Sequence, residues 1–153
     1  IQTMTEDVSN LDLYFFALFL WQIKRKIYNK DAKNHMMILR EGSQGCEKST
    51  VVDKLTSIDI LDNFFTRKTV LQLVDDRQWA ILKDHFLVIL DEMQGCKRAA
   101  IDSLKSIITA NEISYRPMRT NSTYTINQNC SLIATTNELT EELILDTTGM
   151  RRF

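Results

Sequence analysis

The hydrophobic pattern of this chain changes period along its length, and each change marks an element. Between about Thr5 and Tyr28, the residues Phe15, Phe16, Phe19, Leu20 and Ile23 recur mostly at spacings of three and four, which predicts a helix with those side chains on its core face. Thr5, Ser9 or Asn10 can cap its start. Lys24, Arg25 and Lys26 form a basic last turn that suits the helix dipole and reads as a solvated end. After a polar linker (29–34), His35 leads the apolar run Met36-Met37-Ile38-Leu39, the mark of a buried strand. Val51 to Leu55 reads as a helix, a short strand is expected near Asn63-Phe64-Phe65, and Lys68 to Asp76 reads as a second helix. Gln78 to Lys83 is an approach to the next strand. That strand, His85 to Glu92, carries five consecutive apolar residues and ends in two acids. Lys97 to Ala110 is amphipathic, with Ala100, Ile101, Leu104, Ile107 and Ile108 on one face. Turn residues flanked by β-favouring ones make Ile113 to Asn127 a hairpin. A third buried strand, Ser131 to Thr136, runs into Asn137, and a short helix is expected over Thr140 to Leu145.

Composition narrows the class without naming a function. At 153 residues, with 44% hydrophobic and 25% charged side chains, the chain is expected to form one globular domain with a real core. A formal net charge of −1 gives no global attraction to nucleic acid, so any such contact must come from a local patch. Cys46, Cys96 and Cys130 are odd in number and widely spaced, which suggests neither a disulfide framework nor a zinc site. A reducing, cytoplasmic setting is expected. The apolar run from Leu11 to Ile23 contains Asp12 and Gln22 and is too short for a typical membrane span. The chain begins without Met and ends at Arg151-Arg152-Phe153, which reads as a fragment of a longer protein.

The candidate chemistry begins between the first strand and the helix after it. Gly42-Ser43-Gln44-Gly45-Cys46-Glu47-Lys48-Ser49-Thr50 has the layout of a phosphate-binding loop. In such a loop, backbone N–H groups and the open first turn of the helix converge on an anion. Lys48 would reach the terminal phosphates, and the Ser49 hydroxyl would sit on a magnesium ion. Glu47 departs from the pattern, because glycine before the lysine lets the backbone approach the phosphates without a Cβ. Weakened nucleotide affinity is expected, and a nucleotide-binding assembly module with little hydrolysis is the alternative to an active ATPase.

Farther along the chain, polar residues at strand ends arrive in the order expected of an ATPase with a magnesium-bound nucleotide. Asp91 would hold the metal through water, Glu92 would activate the attacking water, and Asn137 would touch that water or the γ-phosphate. Arg151 or Arg152 could stabilise transition-state charge, a contribution worth roughly 10³–10⁵ in rate where an arginine finger acts. Such a finger is usually donated across a subunit boundary and implies an oligomer. On the hairpin, Arg116 and Arg119 suit a nucleic-acid backbone, and Tyr115 and Tyr124 could stack on the bases of a single strand; a solvated hairpin with core tyrosines is the plain alternative. These readings converge on a three-layer α/β P-loop NTPase with a mostly parallel sheet. An N-terminal helical segment (1–34) packs on the core (35–153).

The chain resembles the virulence-associated E (VapE-type) family of P-loop ATPases from phages and mobile elements, related to superfamily-three helicases. The matching pieces are Glu41-Gly42-Ser43-Gln44-Gly45, Val88-Ile89-Leu90-Asp91-Glu92-Met93, Tyr115-Arg116-Pro117, Ile133-Ala134-Thr135-Thr136-Asn137-Glu138 and Asp146 to Phe153, spread over about three-quarters of the chain. The resemblance implies an AAA-like core and a hexameric ring, while the motifs themselves call for magnesium and ATP as cofactors and the hairpin for single-stranded DNA as partner. The resemblance also implies a role in unwinding or initiating replication of mobile-element DNA. The family's strand after Arg151-Arg152-Phe153 has no counterpart here.

Overall fold

Four short strands build the centre of the molecule, and their register places every strand end that matters on one edge. The computed structural model describes residues 10–32, 35–42, 48–57 and 64–139. Strands β1 (Ile38–Glu41), β2 (Phe65–Lys68), β3 (Leu87–Leu90) and β6 (Ser131–Thr136) form a parallel sheet in the order β1-β6-β3-β2. All residues of β3 and β6 are buried, as parallel strands covered on both faces should be. Pairing aligns Glu41 with Thr136, Leu90 with Ala134, and Lys68 with Leu90, so the C-terminal ends of all four strands open together.

Helices cover both faces of this sheet. On one face α1 (Asn10–Ile27) and α2 (Lys48–Thr56) pack Phe19 and Val52 against Leu87, Ile89 and Ile133. The other face is the larger core. There α3 (Val70–Val74), α4 (Ile81–Asp84) and α5 (Arg98–Thr109) cover Val88, Leu90, Leu132 and Ala134. The apolar face read from the sequence of α5 is the one that is buried: Ala100, Ile101, Leu104, Ile107 and Ile108 all lie in the core. Thr69 starts α3 with a capping box, its hydroxyl accepting from the Gln72 N–H while the Gln72 side chain accepts from the Thr69 N–H. The expected helix over Lys68 to Asp76 is therefore shorter, and the approach segment contains a 3₁₀ turn (Asp76–Gln78) and α4. Strands β4 (Glu112–Tyr115) and β5 (Tyr124–Asn127) form the expected antiparallel hairpin, anchored by Ile113 and Ile126. The first strand begins at Ile38 rather than His35. The short helix expected over 140–145 lies outside the described residues.

The first helix differs most from expectation. Its buried stripe is Phe19, Gln22 and Lys26, whereas Phe15 and Leu20, expected in the core, are exposed. Polar bonds replace apolar contact. The Gln22 amide donates to the Met36 carbonyl at 3.0 Å and to Ser131 Oγ at 2.9 Å, and accepts from the Met36 N–H at 2.9 Å. Lys26, expected in solvent, donates to Gln128 Oε1 at 2.6 Å and to the Cys130 carbonyl. A buried amide or ammonium is tolerable only when bonded in this way.

Burying that ammonium gives stability a pH dependence. Burial lowers the Lys26 pKa from 10.5 to about 8, an effect only partly offset by attraction to Cys130. The Cys130 thiol is pushed up to about 12 from 9.0, chiefly by its own burial. Above pH 8 the unfolded chain therefore holds more protons on Lys26 than the folded chain does, and stability rises with pH. From pH 8 to pH 9 Lys26 alone contributes about 1 kcal/mol of that rise. The raised Cys130 pKa acts with the opposite sign, removing stability as pH climbs through its unfolded value. Urea unfolding should show a net rise between pH 8 and pH 9 in the wild type, and in Lys26→Met a slight fall. A rise of equal size in both would place the titration elsewhere.

Candidate functional site

Chemistry in a parallel α/β sheet concentrates where strands give way to loops at their C-terminal ends. Here β1 leads into Gly42, and α2 starts at Lys48, with Ser49 and Thr50 completing its first turn. A strand before the motif and a helix from its lysine thus follow in the order the motif requires. Ser43, Gln44, Gly45, Cys46 and Glu47 lie outside the described residues, as do Arg151 and Arg152. Asn137 follows β6, the strand hydrogen-bonded to β1. Asp91 and Glu92 follow β3, the strand on the other side of β6. Gly42, Asn137 and Asp91 therefore sit on three adjacent strand ends.

The loops at this edge are tied to one another. The Met93 N–H donates to the Thr135 carbonyl at 2.9 Å, and the Glu92 N–H reaches Thr135 Oγ1 at 3.4 Å. Asn137 Nδ2 donates to Gln94 Oε1 at 3.4 Å, and the Gly95 N–H donates to Glu138 Oε1 at 3.2 Å. Glu92 has φ of +55°, in the left-handed region that disfavours a side chain with a Cβ. Its carboxylate is exposed next to the half-buried Asp91. Backbone strain of this kind, held by neighbouring bonds, is typical of positions where geometry serves chemistry.

A residue with no sequence motif completes the cluster. Arg67, the third residue of β2, holds both oxygens of Asp91 at 3.1 Å through Nη1 and bonds Asp53 of α2 through Nη2. In the register Arg67 pairs with Ile89, so it lies on the side of the sheet toward which Asp91, two residues after Ile89 and just past the end of β3, also falls. The available signal was weak: a basic residue at the end of a strand bordering the acidic one. The donor set suits a magnesium ion. Asp91 offers hard carboxylate oxygens and already gathers a cation. Among the described residues no group of three or more His, Cys, Asp or Glu is placed to hold a metal ion. A magnesium ion held largely by substrate phosphates and water needs only one or two carboxylates.

The hairpin forms a two-stranded sheet of its own. The Tyr115 and Tyr124 rings pack 6.2 Å apart across its neck, and Ser114 and Thr125 hydroxyls bond at 2.9 Å. Arg116 folds back on its own loop, donating through Nε to the Thr120 carbonyl at 2.8 Å and through Nη2 to Asn121 Oδ1. Arg119 is exposed at the tip with φ of +64°. Beside the tip opens a cleft of about 770 Å³ whose lining includes Arg116, Arg119 and Arg77, the last brought there by the 3₁₀ turn before α4.

Comparison with known proteins agrees with this architecture. A family profile described as the virulence-associated protein E-like domain matches residues 2–153. The A-form apo structure of the NrS-1 C-terminal region is 21% identical with a TM-score of 0.60, the match covering 87% of this chain and 30% of that one. Another apo structure of that region (305–718) is 19% identical with a TM-score of 0.61, covering 94% of this chain and 42% of that one. NtrX from Brucella abortus in complex with ATP is 14% identical with a TM-score of 0.53, covering 88% of this chain and 33% of that one. The chain thus spans less than half the length of each of these solved chains. At such identities the likeness carries the fold, an α/β parallel sheet with flanking helices of the P-loop NTPase kind. No curated protein matches the chain. Among the described residues no helix is long and apolar enough to cross a membrane.

Proposed function

We propose that this chain, which belongs to the virulence-associated protein E-like family, is the ATP-hydrolysing core of a DNA helicase that acts in replication of phage or mobile-element DNA. The observation that carries the reading is the convergence of Gly42, Asn137 and Asp91-Glu92 on adjacent strand ends, beside the helix that starts at Lys48. Lys48 and the first turn of α2 would bind the phosphates, and Asp91 with Ser49 would hold the metal. When bound, magnesium would supply positive charge that offsets the charge of the phosphates. Glu92 takes a proton from water as the water oxygen bonds to the γ-phosphorus. The bond from that phosphorus to the β–γ bridging oxygen then breaks, and ADP departs with the electron pair. Asn137 orients the water. Arg151 or Arg152 of the partner subunit stabilises the developing charge, which makes the working form an oligomeric ring, taken as a hexamer.

Single-stranded DNA is the proposed track, met by the hairpin. Arg119 at its tip, with Arg77 and Arg116 around the neighbouring cleft, gives a local basic surface on a chain of net charge −1. Tyr124, 49% exposed, is available for stacking, while Tyr115 is half-buried and braces it. One assay tests the whole reading: ATP turnover with and without single-stranded DNA in the full-length protein. Stimulation by DNA is expected in the wild type, baseline activity without stimulation in the Arg116→Ala/Arg119→Ala double variant, and no turnover in Lys48→Ala. Wild-type turnover no higher than that of Lys48→Ala would overturn it.

A further inference from the structure

Asp91 is the proposed metal ligand, yet in this structure its two oxygens are engaged by a protein cation. Arg67 Nη1 lies 3.1 Å from each of them, while Nη2 is bonded to Asp53 on α2. One guanidinium therefore joins the helix that starts at Lys48 to the strand end that carries the acids. A lysine could not do this, because its ammonium has no planar fork to serve two carboxylates in fixed directions. The pair is also accessible: the side chains of Arg67 and Asp91 are 37% and 43% exposed. An ion pair so open to water is screened and inexpensive to break.

We propose that Arg67 is a positioning residue that stands in for the metal's charge on Asp91 before nucleotide arrives and yields that carboxylate when the magnesium–nucleotide complex binds. The inference rests on the ATPase reading. Without Arg67, Asp53 and Asp91 would present two bare negative charges beside the phosphate site and repel the incoming anion. With it, one of those two charges is offset and Asp91 is held in one orientation, ready for transfer. Arg67 gives up Asp91 but keeps Asp53, so the exchange strands no charge. Two simpler roles compete with this one: a strut between α2 and the sheet, or a direct phosphate ligand.

Titration with a fluorescent ADP analogue, in magnesium and again in EDTA, separates the three in wild type, Arg67→Gln and Arg67→Lys. The quantity read is the ratio of the Kd in EDTA to the Kd in magnesium. In Arg67→Gln that ratio is expected to rise about fivefold, the worth of an exposed ion pair. Metal-free affinity falls because Asp91 is bare, whereas affinity with magnesium holds or improves because Arg67 no longer competes. Arg67→Lys, which keeps the charge without the fork, is expected to lie between, and it supplies the reading if Arg67→Gln does not fold. Affinity unchanged in both conditions leaves Arg67 a strut, and equal weakening in both, at an unchanged ratio, makes it a phosphate ligand; either result overturns the proposal. Wild-type protein that binds no nucleotide in either condition overturns the ATPase reading and this proposal together.

Discussion

Glu92→Gln is expected to lower ATP turnover roughly 10²–10⁴-fold, the usual worth of a positioned general base, while nucleotide affinity changes little. The substitution keeps the shape of the side chain and its place after β3 but removes the group that accepts the proton of water. Glu92 reaches that place because β3, buried along its whole length, ends at Leu90, and because Thr135 on β6 receives the N–H groups of Glu92 and Met93. Single-turnover hydrolysis, run beside a nucleotide-binding titration, measures both quantities. Turnover within tenfold of wild type would remove Glu92 from the role of base. Equal loss of affinity would point instead to a structural defect.

Leu104→Ala is expected to destabilise the domain by about 3–5 kcal/mol, a large share of the roughly 5–15 kcal/mol typical of whole domains. Leu104 is fully buried at the centre of the larger core, on the α5 face that meets Val88, Leu90 and Leu132. Truncation leaves a void that close-packed neighbours cannot fill. Urea unfolding should show a lower midpoint with an unchanged slope. A loss below about 1 kcal/mol would mean that the α5 face collapses around the void far more readily than its packing suggests.

Elements whose burial is apolar and continuous were legible from sequence. Ser131–Thr136 is a strand with the bounds its residues indicate, and α5 buries the five residues its period selects. The order of strand ends was legible too, because Asp91-Glu92 and Asn137 directly follow apolar runs. What escaped is what polar residues do in three dimensions. Phe19, Gln22, Ile23 and Lys26 form one helical stripe at spacings of three and four. Gln22 and Lys26 nevertheless count as surface residues until their partners Met36, Ser131, Gln128 and Cys130 are known. Those partners are up to 109 positions away. The same holds for Arg67, whose two acids come from α2 and the end of β3. Nothing local to β2 distinguishes it from any exposed arginine.

The left-handed backbone at Glu92 sets the interests of the fold against those of the site. A glycine there would relieve a conformational cost of roughly 1–2 kcal/mol, and an asparagine would relieve part of it. Improvement of this domain for heat resistance alone would favour those replacements and would discard the carboxylate with them. Glu92 is thus a position at which laboratory evolution for robustness and laboratory evolution for turnover should part company.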